Sequence, residues 1–255
     1  MQKRRRLLAV GLGLFVSMIF SPVSLAADAA PDLKPADIAP GKVTLSVIGA
    51  GSLGSAVGKA WVKAGYDVMF ASRHPDELAP MAKRLGDKAR VGTPKEAARY
   101  GQVVLLAVPY RAIPQVSRDD GDLLKGKILL DATNSWGDEQ TPIGKEAAQA
   151  GDGVVSQRYF KGARLVRAFS AVDASLINAV TQGRHEPLGM PLASNDKAAM
   201  QVAAELVKAA GCVPVIVGNL ADGRRFEHGN PGFRANTTAP ALRRILDLKP
   251  SASSQ

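Results

Sequence analysis

The sequence predicts an α/β protein built on a doubly wound, mostly parallel sheet, and three observations carry that prediction. Short apolar, β-branched-rich runs alternate with helical patterns along most of the 255 residues. That is the signature of strands buried on both faces by crossover helices. A composition of 46% hydrophobic and 22% charged residues supplies an ordinary core and surface. Finally, a glycine-rich loop joins the first strand-like run to the first helical one.

Residues 1–26 contain no acids and begin with Lys3, Arg4, Arg5 and Arg6. An apolar stretch to Phe20, a Ser21-Pro22 break and the small-residue run Ser24-Leu25-Ala26 follow. These are the parts of a cleavable signal peptide spanning 1–26, too short an apolar stretch to serve well as an anchor. The expected location is periplasmic or secreted. Arg4-Arg5-Arg6-Leu7-Leu8 resembles a twin-arginine signal, with Lys3 where Ser or Thr is usual. An ordinary secretion signal reads equally well.

That segment also explains much of the charge. The formal net charge is +10, of which residues 1–26 contribute four. The surplus elsewhere lies partly in pairs, Arg224-Arg225 and Arg243-Arg244. A solvated basic surface or acidic small-molecule ligands fit this better than a nucleic-acid face, and aromatics at 5% offer few stacking platforms. Cys212 is the single cysteine, which excludes an intrachain disulfide and a cysteine metal cluster. It reads as a small core residue.

Residues 27–42, with Pro31, Pro35 and Pro40, read as a linker. The domain then spans 43–250, with a small C-terminal part from about 163. Strands are expected at 43–49, 67–71, 103–108, 127–132, 163–169 and 213–217, with a weaker one at 89–91. Helices are expected at 52–65, 76–85, 94–100, 141–150, 172–181 and 196–210, and a short one near 239–246.

Function enters with the loop Gly49-Ala50-Gly51-Ser52-Leu53-Gly54. Its first glycine permits a tight turn out of the strand, and its second lets the backbone approach a pyrophosphate. The third lets the helix pack closely, with its N-terminus facing the anion. The strand before it and the helix after it give the Rossmann context that makes the motif informative. Homologous sites for NAD place a carboxylate at the end of the second strand, whereas this chain has Ser72-Arg73. A hydroxyl and a guanidinium suit a 2′-phosphate, so NADP(H) is the expected cofactor. The alternative is that Ser72 caps the next helix and Arg73 points to solvent.

Three later strand ends fall on the same sheet edge. Val108-Pro109 closes the run 103–108, with Tyr110 and Arg111 either touching the cofactor or incidental. Asp131 and Asn134 flank the next strand's end, where Asn134 and Ser135 could meet the nicotinamide or simply hold the turn. Ala168-Phe169-Ser170 closes the strand after that, with small residues that admit a flat ring. His74, His185 and His228 show no metal-ligand spacing, no metal is expected, and no catalytic acid or base stands out.

These motifs in this order resemble the NADP oxidoreductase family of coenzyme F-420-dependent NADP reductases, related to the STEAP oxidoreductase domain. The stretches that carry the resemblance are 47–54, 70–73, 106–110, 131–134, 166–169 and 192–196. The resemblance implies that Ser72 and Arg73 grip the 2′-phosphate, that Val108 and Pro109 lie near the nicotinamide half, and that Ala168 sits close to the ring. It further implies hydride transfer between NADPH and a flavin-like or deazaflavin acceptor. Separately, a homodimer is one assembly open to the chain. Ser170 replaces a common Asn, and Arg167 a common Lys. A non-catalytic exported dinucleotide-binding or sensor module is the alternative, and a dehydrogenase of a small carbonyl a third.

Overall fold

The structure, a computed structural model, describes residues 32–249. The expected signal peptide lies outside the described residues. Eight strands form one sheet in the order β3-β2-β1-β4-β5-β6-β7-β8. They are β1 Thr44–Ile48, β2 Asp67–Ala71, β3 Ala89–Gly92, β4 Val103–Leu106, β5 Ile128–Asp131, β6 Arg164–Arg167, β7 Gly189–Ala193 and β8 Val213–Gly218. The first six are parallel. β7 meets β6 antiparallel through the single pair Arg167 and Ala193, and β8 runs parallel to β7.

Strand residues alternate between two cores, which is the physical content of a doubly covered sheet. Leu45, Val47, Leu105 and Leu130 face helices α1 (Ser52–Lys63), α7 (Ala174–Thr181) and α8 (Lys197–Ala209). Ile48, Val104, Leu106 and Leu129 face α3 (Pro94–Tyr100), α4 (Ile113–Asp120), α5 (Pro142–Ala150) and α6 (Asp152–Tyr159). Trp61 of α1 is fully buried, meets Phe169 edge-on at 5.9 Å, and donates its indole N–H to the Leu206 carbonyl at 2.9 Å. It thereby ties three elements across the chain. Cys212 is a buried free thiol, and burial pushes it up to about 11.

The expected helix at 76–85 is a 3-10 turn, Pro75–Leu78, running into α2 (Ala79–Leu85). Two helices and one strand have no counterpart in the sequence reading. α4 is polar along most of its length, and α6 starts from Gly151 immediately after α5 ends. β7 is fully buried yet contains Gly189 and Pro191, which mask any strand signal. Because β7 pairs with β6 at one position only, the missing Pro191 N–H interrupts no β6–β7 ladder.

The expected linker is corrected from residue 32 onward. Leu33 and Ile38 are buried in the α1-side core, and Asp32 pairs with Arg164 at 2.8 Å. The Tyr66 hydroxyl donates to the Ile38 carbonyl at 3.3 Å. Apolar residues spaced between the prolines fasten this segment as a strap. Beyond β8, a 3-10 turn and α9 (Ala239–Ile245) close a third small core containing Phe226, Leu242 and Leu246. The C-terminal part thus extends the same sheet. Among the described residues, no helix is long and apolar enough to cross a membrane.

Candidate functional site

In the order 3-2-1-4-5-6 the topology reverses between β1 and β4, so ligands belong outside the carboxyl ends of those strands. The glycine loop sits there. Gly49 has φ +98°, and a Cβ on it would lie 2.5 Å from the Ala107 carbonyl oxygen. A Cβ on Gly54 would lie 2.3 Å from the Gly49 oxygen, so helix and turn touch backbone to backbone. Gly51 differs: a Cβ there would meet nothing within 4 Å, so open space lies beside the backbone at this point of the turn. As N-cap of α1, Gly51 has no side chain to satisfy the first-turn amides of Ser52, Leu53 and Gly54. An anion at that helix end receives their N–H groups and the dipole. Ala50 is buried, and its N–H and that of Gly49 both donate to the Ala71 carbonyl, at 2.9 and 3.0 Å.

Those two bonds fix the loop against the end of β2, where Ser72 and Arg73 follow. Ser72 is half-buried, and its Oγ accepts the His74 N–H at 3.0 Å. Its hydroxyl hydrogen can still donate. Arg73 is exposed and has no hydrogen bond or ion pair among the described residues. No carboxylate stands at this strand end, so the residues present fit a 2′-phosphate and would not hold a bare ribose diol as NAD sites do.

A cleft of about 340 Å³ opens beside the loop. Leu53, Val108, Pro109 and Asn134, predicted from separate strand ends, all line it. Ala168 does not; it is fully buried in the α1-side core, its N–H bonded to the Asp131 carbonyl at 3.1 Å.

The polar residues around the cleft divide into tied and untied groups. Asp131 is tied: Oδ1 accepts from the Thr133 N–H and hydroxyl at 3.0 and 2.6 Å, and Oδ2 accepts from Arg167 at 2.8 Å. It holds the turn and leaves Asn134 to face the cleft. Tyr110 is tied as well, fully buried with its hydroxyl donating to the Asp152 carbonyl at 2.8 Å. Burial raises its pKa further, reinforced by the Asp152 and Asp131 carboxylates. It is no proton donor for a ligand in the cleft. Arg111 donates from its backbone and guanidinium to Asp138, at 2.9 and 2.7 Å. Burial opposes ionisation of Asp138, yet those bonds from Arg111 hold its carboxyl below the ordinary range.

Two features had no signal in the sequence. Arg167, noted in the sequence only as standing where Lys is common, is fully buried behind the cleft. Its Nη1 also donates to the Thr133 carbonyl at 2.6 Å, and its Nη2 lies 3.6 Å from Asp152. Burial alone would lower its pKa, but Asp131, Asp152 and Glu227 outweigh that and raise it. Asp152 accepts the Ser135 N–H at 3.2 Å, and Glu227 accepts the Asp152 N–H at 2.8 Å. Residues distant in sequence thus hold the β5 loop and the C-terminal segment together. The second feature is a cluster of Trp136, His228, Phe233 and Arg234 at the cleft mouth. His74 and His228 are exposed, and His185 contacts only the neighbouring Glu186 carbonyl.

Fold and cleft together define a class, a Rossmann dinucleotide-binding oxidoreductase with its ligand at the β1/β4 switch point. Within that class, residues 44–135 match the family model described as NADP oxidoreductase, coenzyme F420-dependent. That segment runs from β1 through Ser135 and carries the glycine loop, Ser72-Arg73, Val108-Pro109 and Asn134. Over that segment the chain is similar to a family of NADP-dependent oxidoreductases. Two solved structures span most of the domain. The hypothetical protein SMa0349 from Sinorhizobium meliloti is 28% identical, with a TM-score of 0.62 over 76% of this chain and 93% of that one. A candidate F420-dependent NADP-reductase from Arthrobacter sp. FB24 is 22% identical, with a TM-score of 0.61 over 71% and 87%. An imine reductase from Myxococcus stipitatus, in complex with NAD+, shares the fold at 20% identity and a TM-score of 0.53 over 80% and 60%.

Proposed function

We propose that the protein is a reductase that passes hydride from NADPH to a flavin-like or deazaflavin acceptor. The observation that carries this reading is the absence of a usable acid on the described cleft lining. Tyr110 is buried and bonded to a carbonyl, and Asp138 is paired with Arg111. Reduction of a carbonyl needs a proton delivered as the alkoxide forms. A conjugated ring spreads the incoming electron pair and can take any proton from water, so positioning suffices.

When bound, NADPH supplies a hydride, two electrons and one proton, and is left as NADP+. The chain's own residues bind and orient. The α1 amides receive the pyrophosphate, and Ser72 with Arg73 receives the 2′-phosphate. Val108, Pro109 and Asn134 set the nicotinamide end, and Leu53 excludes water from the first turn of α1. The family description supports a deazaflavin partner, and the cleft suits any planar ring of that kind.

The test is anaerobic oxidation of NADPH by the purified protein with riboflavin, FMN, a deazaflavin or a soluble quinone. Turnover with one of these supports the reading. Tight NADPH binding without turnover of any acceptor sinks it and favours a non-catalytic dinucleotide-binding module. The segment 1–26 is part of the proposal as an export signal, placing this chemistry outside the cytoplasm. Fused to a reporter, it should deliver activity to the periplasm; a reporter retained in the cytoplasm would refute export.

A further inference from the structure

We infer that Glu227, outside the cleft lining, is a positioning residue for the nicotinamide end of the site. It acts through Asp152 and Ser135 on Asn134, and it does so as a neutral acid whose ionisation slackens that loop. The inference rests on the reading above that Asn134 meets the nicotinamide end of the dinucleotide. It adds what holds Asn134 from behind, and a proton on which that hold depends.

Asn134 lines the cleft, but both of its chain neighbours are held by groups outside it. The Thr133 carbonyl accepts Arg167 Nη1 at 2.6 Å, and the Ser135 N–H donates to Asp152 Oδ2 at 3.2 Å. Asp131 accepts from the same Nη1 at 2.8 Å, so one guanidinium spans the strand end and the loop. Asp152 opens α6, and its own N–H donates to Glu227 Oε1 at 2.8 Å. A chain of contacts therefore runs from the segment after β8, through the start of α6, to the peptides that flank Asn134. It has little slack. A Cβ on Gly153 would lie 2.7 Å from Arg167 Cγ and 2.8 Å from its Cδ, so the arginine stem is pressed against the α6 backbone.

All four side chains of this cluster are buried, Asp131 and Arg167 completely. Three carboxyls thus share a single guanidinium. Excess negative charge in a space closed to water is costly, and a buried carboxyl sheds that cost by keeping its proton. Glu227 is the carboxyl left over. Asp131 pairs with Arg167 at 2.8 Å and Asp152 lies 3.6 Å from it, whereas Glu227 has no ion pair among the described residues. The guanidinium is turned to the β5 loop, and its Nε and Nη2 make no hydrogen bond. The charged and titratable groups that face Glu227 are Arg167 of β6 and Asp152 of α6, with Asp131 of β5 and Tyr110 beyond them. Arg224, on the turn before it, directs Nη2 to the Ala148 carbonyl at 2.9 Å and forms no pair with it. Burial raises the pKa of Glu227 most and the Asp152 carboxylate adds to that, while Arg167 works against them. The proton is therefore held at low pH and lost as pH rises through the folded value. Ionised Glu227 then repels the Asp152 carboxylate, and the Ser135 anchor loosens.

The test compares NADP+ with 2′-phospho-ADP-ribose, which carries the same phosphates and lacks only the nicotinamide ring. Both are titrated calorimetrically into the full chain from pH 4.5 upward, the ordinary value of a Glu carboxyl. The ratio of their affinities cancels any titration of the shared phosphates. In the wild type NADP+ is expected to bind tighter than the fragment at low pH. It should lose roughly three- to tenfold of that advantage as pH rises, the worth of one hydrogen bond. Over the same range NADP+ should take up protons from the buffer on binding, and the fragment should not. Glu227→Gln keeps an acceptor for the Asp152 N–H and cannot ionise, so it should hold the low-pH advantage throughout, with no proton uptake. A wild-type ratio that does not change with pH, or one that still falls in Glu227→Gln, overturns the inference. So does NADP+ binding without proton uptake, which is read on the wild type alone. Those results leave the reading of Asn134 intact as long as NADP+ outbinds the fragment. Equal binding of the two at every pH overturns both.

Discussion

Replacing Arg73 with Ala takes one guanidinium from the end of β2 and nothing that holds the fold. Arg73 is exposed and has no hydrogen-bond or ion-pair partner among the described residues. Surface changes of that kind alter stability by about 0.5 kcal/mol or less. Its effect should therefore appear almost wholly in cofactor binding. A hydrogen bond to a charged group is worth about 1.5–3 kcal/mol. At about 1.4 kcal/mol per tenfold, NADPH should weaken roughly 10- to 150-fold. NADH has no 2′-phosphate and should change by less than about twofold, since 0.5 kcal/mol is the surface-effect limit. Some preference for NADPH should persist, because Ser72 keeps a hydroxyl hydrogen to donate while its Oγ accepts the His74 N–H. The assay is calorimetric titration of both dinucleotides at one fixed, low ionic strength, because salt screens an exposed charge contact. Parallel weakening of NADPH and NADH would refute the reasoning, as would a wild type that does not distinguish them.

Three further outcomes follow from the same geometry. Gly54→Ala places a Cβ where the Gly49 carbonyl oxygen would be 2.3 Å away, so α1 or the turn must shift. NADPH binding should fall below detection, with a melting temperature reduced in the manner of overpacking, about 1–3 kcal/mol; unchanged affinity would contradict the backbone contact. Glu227 is buried and burial raises its pKa above 4.5 in the fold. A raised carboxyl favours folding below its unfolded value, and that contribution is lost as pH rises through the folded value. Glu227→Gln keeps an acceptor for the Asp152 N–H and should flatten the decline in melting temperature above pH 4.5, whereas an unaltered pH profile would show that Glu227 does not titrate in this way. Tyr110→Phe removes a hydroxyl bonded only to the Asp152 carbonyl and should cost about 1 kcal/mol of stability. Its pH–rate profile should match the wild type; loss of an ionisation from that profile would make Tyr110 a proton donor after all.

The residues legible in advance were those whose role is written in backbone geometry. Gly49 and Gly54 announce a strand–turn–helix because a Cβ at either would strike backbone, while Gly51 stands in open space between them. Ser72-Arg73 was readable because NAD and NADP sites call for opposite charges at that strand end. β4 and β5 were readable because strands buried on both faces are continuous apolar runs. β7 was hidden, since Gly189 and Pro191 break the local pattern and its burial comes from β8 and the segment after residue 218. The strap at 32–42 was hidden too, because two apolar residues among prolines look like a linker until Leu33 and Ile38 find the α1-side core.

By itself the sequence determined the dinucleotide loop, the phosphate-suited end of β2 and the alternation that makes a parallel sheet, all of which arise from contacts within one βαβ unit. Only the tertiary structure decided what surrounds the far end of the cleft. Arg167 reads as a strand residue of no special kind, yet its burial requires Asp131, Asp152 and Glu227 to converge from three segments. Trp136 and Arg234 are almost a hundred residues apart, and no local pattern links them. Their 5.4 Å contact exists because the sheet brings the β5 loop and the C-terminal wrap to the same edge. Local propensity fixes elements, but charge pairing and cleft walls depend on which elements the fold sets side by side.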